Sequence, residues 1–192
     1  VFNSVVLSFY FLFFKQNKAK SDLFLGLLLL SLSIRIGKSV FYNFNPQLSK
    51  TYLQIGLSAC FLIGPLLYFY VRSILQNLND SFAKRTIILI VVTISVFGFL
   101  FPYMENPVLW RGVVYYLINI QWLIFIVLSI YESRYIFKKL VTNRSQISYY
   151  DTWILSIICG VFAIWLSYFL ARYTSYISGA LTFSFSFYIS FL

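Results

Sequence analysis

No charge falls between Lys50 and Arg72, a run longer than the ~20 apolar residues that a helix needs to cross the ~30 Å hydrocarbon core of a bilayer. That run, Tyr52 to Leu75, leaves little choice of fold. A backbone in lipid finds no water to bond, so an isolated segment of this kind must be helical. Inside it stands Gly64-Pro65. Pro65 offers no N–H to the carbonyl of Phe61 and its ring pushes that carbonyl aside. The sequence therefore predicts a kink, and an exposed acceptor that a protein group or a water must meet. Gly56, Cys60 and Gly64 recur every four residues on the approach to the kink, a small-residue face that lets a second helix come close. Gly64-Pro65 is read as a hinge or a packing device, beside a close neighbour.

The rest of the chain repeats the pattern. Of its 192 residues 60% are hydrophobic and 10% charged, with a mean hydropathy of +0.82, whereas soluble domains carry roughly 25% charged residues. The expected fold is all-α, a polytopic transmembrane helical bundle of about seven spans. These run approximately over 1–14, 23–42, 52–75, 86–101, 113–131, 152–171 and 179–192, in one domain. The first and last are read as truncated, with an output domain expected beyond Leu192. The net charge of +10 does not imply nucleic acid, because the basic residues lie in short clusters between apolar runs and form no single patch. Cys60 and Cys159 both fall within apolar runs, where a thiol behaves as a small hydrophobe. No disulfide framework is expected.

The basic clusters also orient the chain. Loops after the first, third and fifth spans hold Lys15, Lys18, Lys20, Arg72, Lys84, Arg85, Arg134, Lys138, Lys139 and Arg144, against Lys50, Arg111 and Arg172 in the alternate loops. Short loops rich in Lys and Arg stay in the cytoplasm. The expectation is an N-terminus outside, a C-terminus in the cytoplasm, and residence in the bacterial cytoplasmic (inner) membrane. Asn143-Arg144-Ser145 matches a glycosylation sequon but lies in a loop expected to be cytoplasmic.

The chain has no histidine, and its acids, Asp22, Asp80, Glu105, Glu132 and Asp151, all stand in loops or at span ends. This argues against a His-paired nucleophile, a metal site or a buried proton relay. Neither enzyme chemistry nor a metal or other cofactor is expected. Ser31, Ser33, Thr93, Ser95, Ser156 and Ser167 are read as hydroxyls bonded within or between helices. Aromatic residues, 22% of the chain, are read mainly as interfacial belts.

One costly feature remains. Arg35 and Lys38 stand three apart in the second span, hence on one helix face, and a charge at the centre of a membrane helix costs about 2.5–3.5 kcal/mol. From an entry near Leu23, Arg35 sits about 18 Å and Lys38 about 22 Å along the ~30 Å core. Lys38 can snorkel to the outer surface; Arg35 is better served by a polar cavity. Arg35, Lys38 and Tyr42, one turn further out, are the candidate lining of an outward-facing pocket for a small polar or anionic ligand.

Two stretches, LFLGLLLLSLSIRIGKSVFY with Arg35 to Tyr42 and GLSACFLIGPLLYFYVRSIL with Ile63 to Ser73, carry a resemblance. After a basic turn they resemble the N-terminal seven-span membrane region of bacterial membrane-anchored AraC-type helix-turn-helix transcriptional regulators. The resemblance implies a sensory or anchoring bundle coupled to a C-terminal domain that reads DNA. The chain stops before any helix-turn-helix, so DNA is a partner only through the missing domain. A histidine kinase sensor region and a small-molecule transporter or its binding subunit are the alternatives, and pairing of two copies is left open. A transporter would be expected to show a second broken span, and Gly160 has no proline beside it.

Overall fold

The computed structural model describes residues 2–16, 19–45, 47, 49–76, 80–142 and 148–170. Among them it is helical throughout, without a strand. Helix α1, Phe2–Phe9, runs into a π-helical turn, Tyr10–Phe14, closed by the Lys15 N–H on the Tyr10 carbonyl at 3.0 Å. Helix α2 spans Lys20–Phe44. Its first turn leaves N–H groups without helical partners and attracts negative charge. Asp22 answers both needs, accepting the Ala19 N–H at 2.9 Å and pairing with Lys15 at 2.7 Å. It ends at an extended Asn45, ahead of Pro46, because a residue before proline is driven out of the helical region.

Helix α3, Lys50–Leu75, is a single unbroken helix with Pro65 inside it. Helix α4 covers Asp80–Leu100 and stops two residues short of Pro102. After a turn, α5 opens with proline at its first position, Pro107–Leu109, passes through a π-helical turn, Trp110–Val114, and continues as α6, Tyr115–Glu132. A short α7, Arg134–Thr142, precedes α8, Tyr149–Leu170. Five segments are long and apolar enough to cross a membrane: Lys20–Tyr42, Lys50–Leu75, Ser81–Leu100, Pro107–Glu132 and Tyr149–Leu170. Phe2–Phe14 is apolar but shorter. Of the seven runs expected, five therefore stand as spans by length and composition; the run 179–192 lies outside the described residues, as do Arg172 and the Asn143-Arg144-Ser145 sequon.

The helices outrun the apolar runs that announce them. The stretch from Gln76 to Arg85 reads as a polar turn, yet α4 already begins at Asp80, because polar residues at the mouth of a span keep helical bonds while their side chains face water. The loop after Pro102 is helical again from Pro107. Helix α7 is unannounced. Its Ile136 is buried while Tyr135 and Lys138 are exposed, an amphipathic pattern too short to separate from a charged loop. Ser133 divides it from α6 by bonding back to the carbonyls of Ser129 at 2.8 Å and Ile130 at 3.1 Å.

Helix α3 is the centre of the bundle. It packs most extensively on α2 and α6, and also on α4, while α1 lies on α2 and α8 on α6. In the most apolar stretch of α3, 67% of residues are buried, against 11% in α4. Helix α4 instead turns Ile88, Leu89, Val92, Val96 and Phe99 outward. Such a continuous apolar surface is unfavourable in water and ordinary in lipid. It accords with a multi-pass membrane protein.

Candidate functional site

Successive long helices run antiparallel, so the bundle has two ends. At one, which holds most of the described basic residues, three carboxylates have local partners. Lys15 meets Asp22, Lys139 meets Asp151 at 3.6 Å, and Glu132 gathers α3 and α6 together. Its carboxylate accepts the Tyr68 hydroxyl at 3.2 Å and the Gln76 amide at 3.0 Å, with Arg72 Nε at 4.0 Å. Arg72 also donates to the Tyr68 hydroxyl at 2.7 Å. Next to this rim the Trp153 indole N–H donates to the Tyr70 hydroxyl at 2.8 Å, joining α8 to α3.

At the opposite end Gln54 is the connector. Its amide donates to the Gly98 carbonyl at 2.9 Å and accepts the Tyr103 N–H at 3.0 Å. The fully buried Trp110 donates to the Phe101 carbonyl at 2.7 Å, and Arg111 to the Tyr103 hydroxyl at 3.0 Å. The chain between α4 and α6 is thereby folded down onto α3.

Midway between the ends lies Pro65. The Phe61 carbonyl that it deprives of a helical partner accepts the Gln121 amide of α6 at 3.0 Å. The small-residue face divides between two neighbours. A Cβ on Gly64 would stand 3.1 Å from Phe125 Cβ and 3.3 Å from the Trp122 backbone, both on α6, whereas one on Gly56 would stand 2.5–2.7 Å from the stem of Lys38 on α2. One glycine thus admits α6 and the other α2. Cys60, between them, is buried and donates its thiol to the Gly56 carbonyl at 3.3 Å. Pro65 works here as part of a packed, bonded crossing.

Arg35 occupies the half of the bundle away from the basic end, where α2, α3, α6 and α8 meet. It is only 8% exposed, and its Nε and Nη1 are sealed from solvent with no hydrogen-bond acceptor among the described residues. Its guanidinium lies 4.3 Å from the centre of the Tyr168 ring, a cation–π contact that gains strength out of water. Cys60, Tyr115 and Tyr168 are the groups whose charge or dipole reaches it. Lys38, half-buried, lies within electrostatic reach of Arg35 and Cys60, with its stem over Gly56.

Tyr115 and the polar groups of α6 and α8 beside it bond to backbone carbonyls. Tyr115 donates to Tyr168 at 3.2 Å, Asn119 to Tyr115 at 2.8 Å and Trp165 to Asn119 at 3.1 Å. A short stack of Phe162, Trp165 and Phe169, with ring centres 5.8 and 5.4 Å apart, stiffens this part of α8. Two cations therefore share a buried seam, and each described acid that forms an ion pair with a described base, Asp22, Glu132 and Asp151, stands at the other end.

Arg35 and Lys38 thus share a face and a seam. Tyr42 does not join them: it is exposed. It stands one turn beyond Lys38, where the neighbouring Phe41 meets Tyr52 of α3 with ring centres 6.2 Å apart. Tyr168 and Tyr115 were not legible as neighbours of Arg35, because only the packing of α8 and α6 brings them there. Gln54 and Gln121 did carry a signal, being isolated amides in apolar runs, where a polar group must find a partner. Ser33 and Ser167 bond back to the carbonyls four residues earlier at 2.7 and 2.8 Å.

Comparison with family models, with curated proteins and with solved structures finds no match to this chain.

Proposed function

We propose that this chain is the membrane-embedded sensory module of a bacterial one-component regulator of the AraC type, without enzymatic activity of its own. It would sit in the cytoplasmic membrane with its basic end inside and the Arg35 seam toward the outside. The observation that carries the reading is the buried, acceptor-free guanidinium of Arg35, placed on the helix that packs most heavily on α3. A cation retained at such cost inside an apolar bundle is a functional position by default. Helix α3 gives it a route: Gly56 and Cys60 lie at the seam, Phe61 and Pro65 at the α6 crossing, and Arg72 at the basic rim.

In this mechanism a ligand at the seam favours one packing of α2 against α3 over another. A shift of equilibrium requires that the ligand bind the two packings with different affinity. In this reading the bundle supplies the sensing step, and reading DNA would fall to a helix-turn-helix domain of the kind the resemblance implies. The resemblance of the segments around Arg35–Tyr42 and Ile63–Ser73 supports the regulator reading over a kinase or a transporter.

The test is transcript profiling of the source bacterium carrying the wild-type gene or Arg35→Leu, with membrane insertion checked by fractionation. The regulator reading expects a defined set of transcripts to change. Unchanged transcripts at normal membrane levels would remove it, and altered solute uptake without a transcript response would favour a transporter.

A further inference from the structure

We propose that Arg35 and Lys38 jointly bind one oxyanion, a phosphate or carboxylate group, within the seam between α2 and α3, and that this oxyanion is the ligand of the sensory module proposed above. Three observations converge. First, the seam's unpartnered donors include the cationic Arg35 nitrogens, beside the neutral indole N–H of Trp122 on α6. The Tyr115 hydroxyl, the Asn119 amide, the Trp165 indole and the Cys60 thiol each bond to a backbone carbonyl, while Arg35 Nε and Nη1 have no acceptor. A neutral polyol or sugar needs both donors and acceptors from its site; an oxyanion needs donors alone, and charged donors bond it most strongly.

Second, the charge count calls for an anion. Two cations lie within electrostatic reach of one another; the described ion pairs of Asp22, Glu132 and Asp151 commit those acids to Lys15, Arg72 and Lys139, and Glu105 is exposed in the turn after α4. Burying one charge without a counter-charge is costly, and two cations add repulsion to it. One bound anion relieves both terms.

Third, the seam has a part that can move. Gly56 offers no side chain beneath Lys38, whose Cβ, Cγ and Cδ all lie within 2.7 Å of where a Cβ would stand. Lys38 is therefore held there by contact with bare helix backbone and by no ion pair among the described residues. Swinging its ammonium toward the anion lifts its stem from α3. Binding would thus be coupled directly to the packing of α2 on α3.

The source of the oxyanion is either the outer solution or an anionic lipid headgroup, and the experiment separates the two. The full chain is purified in an uncharged detergent and buffers containing chloride only, and its thermal unfolding midpoint is followed by tryptophan fluorescence. Inorganic phosphate and acetate are titrated in the first arm. In the second, the chain is placed in phosphatidylcholine nanodiscs with or without phosphatidylglycerol. Stabilisation by phosphate or acetate supports a soluble ligand; stabilisation by phosphatidylglycerol alone supports a headgroup.

In either case Arg35→Gln should weaken the effect about tenfold or more, as expected for loss of a charged hydrogen bond. Lys38→Gln should weaken it severalfold, and it keeps the test open if Arg35→Gln does not fold. No response in either arm, or the same response in wild type and both variants, overturns the proposal. Because binding is read from purified protein, it can fail while the transcript response survives, and the reverse.

Discussion

Replacing Arg35 by Met gives the most direct measure of what the seam costs the protein. Met keeps an unbranched, adaptable stem and removes the charge. A buried donor without an acceptor costs about 1–3 kcal/mol, and Arg35 leaves two nitrogens in that state. The contact with Tyr168 at 4.3 Å returns up to about 2 kcal/mol when desolvated. The net penalty is then about 2 kcal/mol, close to the about 2.5–3.5 kcal/mol that an arginine costs at the centre of a membrane helix. Arg35→Met should therefore be more stable than wild type, by about 4–8 °C in unfolding midpoint for a chain of this size.

The measurement is thermal unfolding in uncharged detergent and oxyanion-free buffer. Added phosphate should then narrow the gap by stabilising the wild type alone. A variant that melts at or below the wild-type midpoint would mean that the bundle already satisfies the guanidinium. That result would also take away the physical basis for an anion in the seam.

The other expectations concern the crossings and the two ends. Gln121→Leu should be more harmful beside Pro65 than in a Pro65→Ala background, where residue 65 regains an N–H for Phe61; a double-mutant cycle in SDS-driven unfolding should show coupling of about 1 kcal/mol, and a coupling near zero refutes the role of Gln121. Gly56→Ala should push Lys38 off α3 and destabilise by about 1–3 kcal/mol, through overlap that reaches the Lys38 Cβ; Lys38→Ala in the same chain removes the Cγ and Cδ overlaps but keeps the Cβ, so it should restore part of the loss, and no restoration counts against the contact. Gln54→Leu strips partners from the Gly98 carbonyl and the Tyr103 N–H, so Trp110 should become accessible to a polar quencher such as iodide, while unchanged quenching argues that the loop holds itself. Glu132→Ala should cost about 1–3 kcal/mol, from loss of the hydrogen bonds of Tyr68 and Gln76 with little from Arg72, which is partly exposed and 4.0 Å away; a much larger loss would make the rim a main support of the fold.

How far the sequence could be read varies sharply along the chain. Each long helix core was legible from apolar run length, because lipid leaves the backbone no alternative. The helix ends were not, since polar turns such as the one around Asp80 satisfy their own bonds whether or not they continue a helix. The free acceptor at Phe61 was legible from Pro65 alone, as a matter of covalent chemistry. Its partner was not: Gln121 stands sixty residues away, and sequence spacing says nothing about which face of α6 turns toward α3.

The candidate site divides in the same manner. Arg35 and Lys38 are visible as a costly pair on one helix face because charge in an apolar run needs a reason. Tyr42 shares that periodicity but is exposed, while its neighbour Phe41 packs on Tyr52 of α3.

By itself the sequence determined that the chain is helical and built of apolar segments long enough to cross a bilayer, and that any polar site within them would centre on Arg35. Hydrophobicity and backbone hydrogen bonding act locally, so they can be read along the chain. Only the tertiary structure decided that α3 is the helix on which the others pack, that Gly56 and Gly64 admit different neighbours, and that Arg35 rests on Tyr168 with two nitrogens unmet. Those outcomes depend on which faces meet across the bundle, and lipid, being as apolar as the side chains themselves, does not choose among faces; close packing and a few buried hydrogen bonds do.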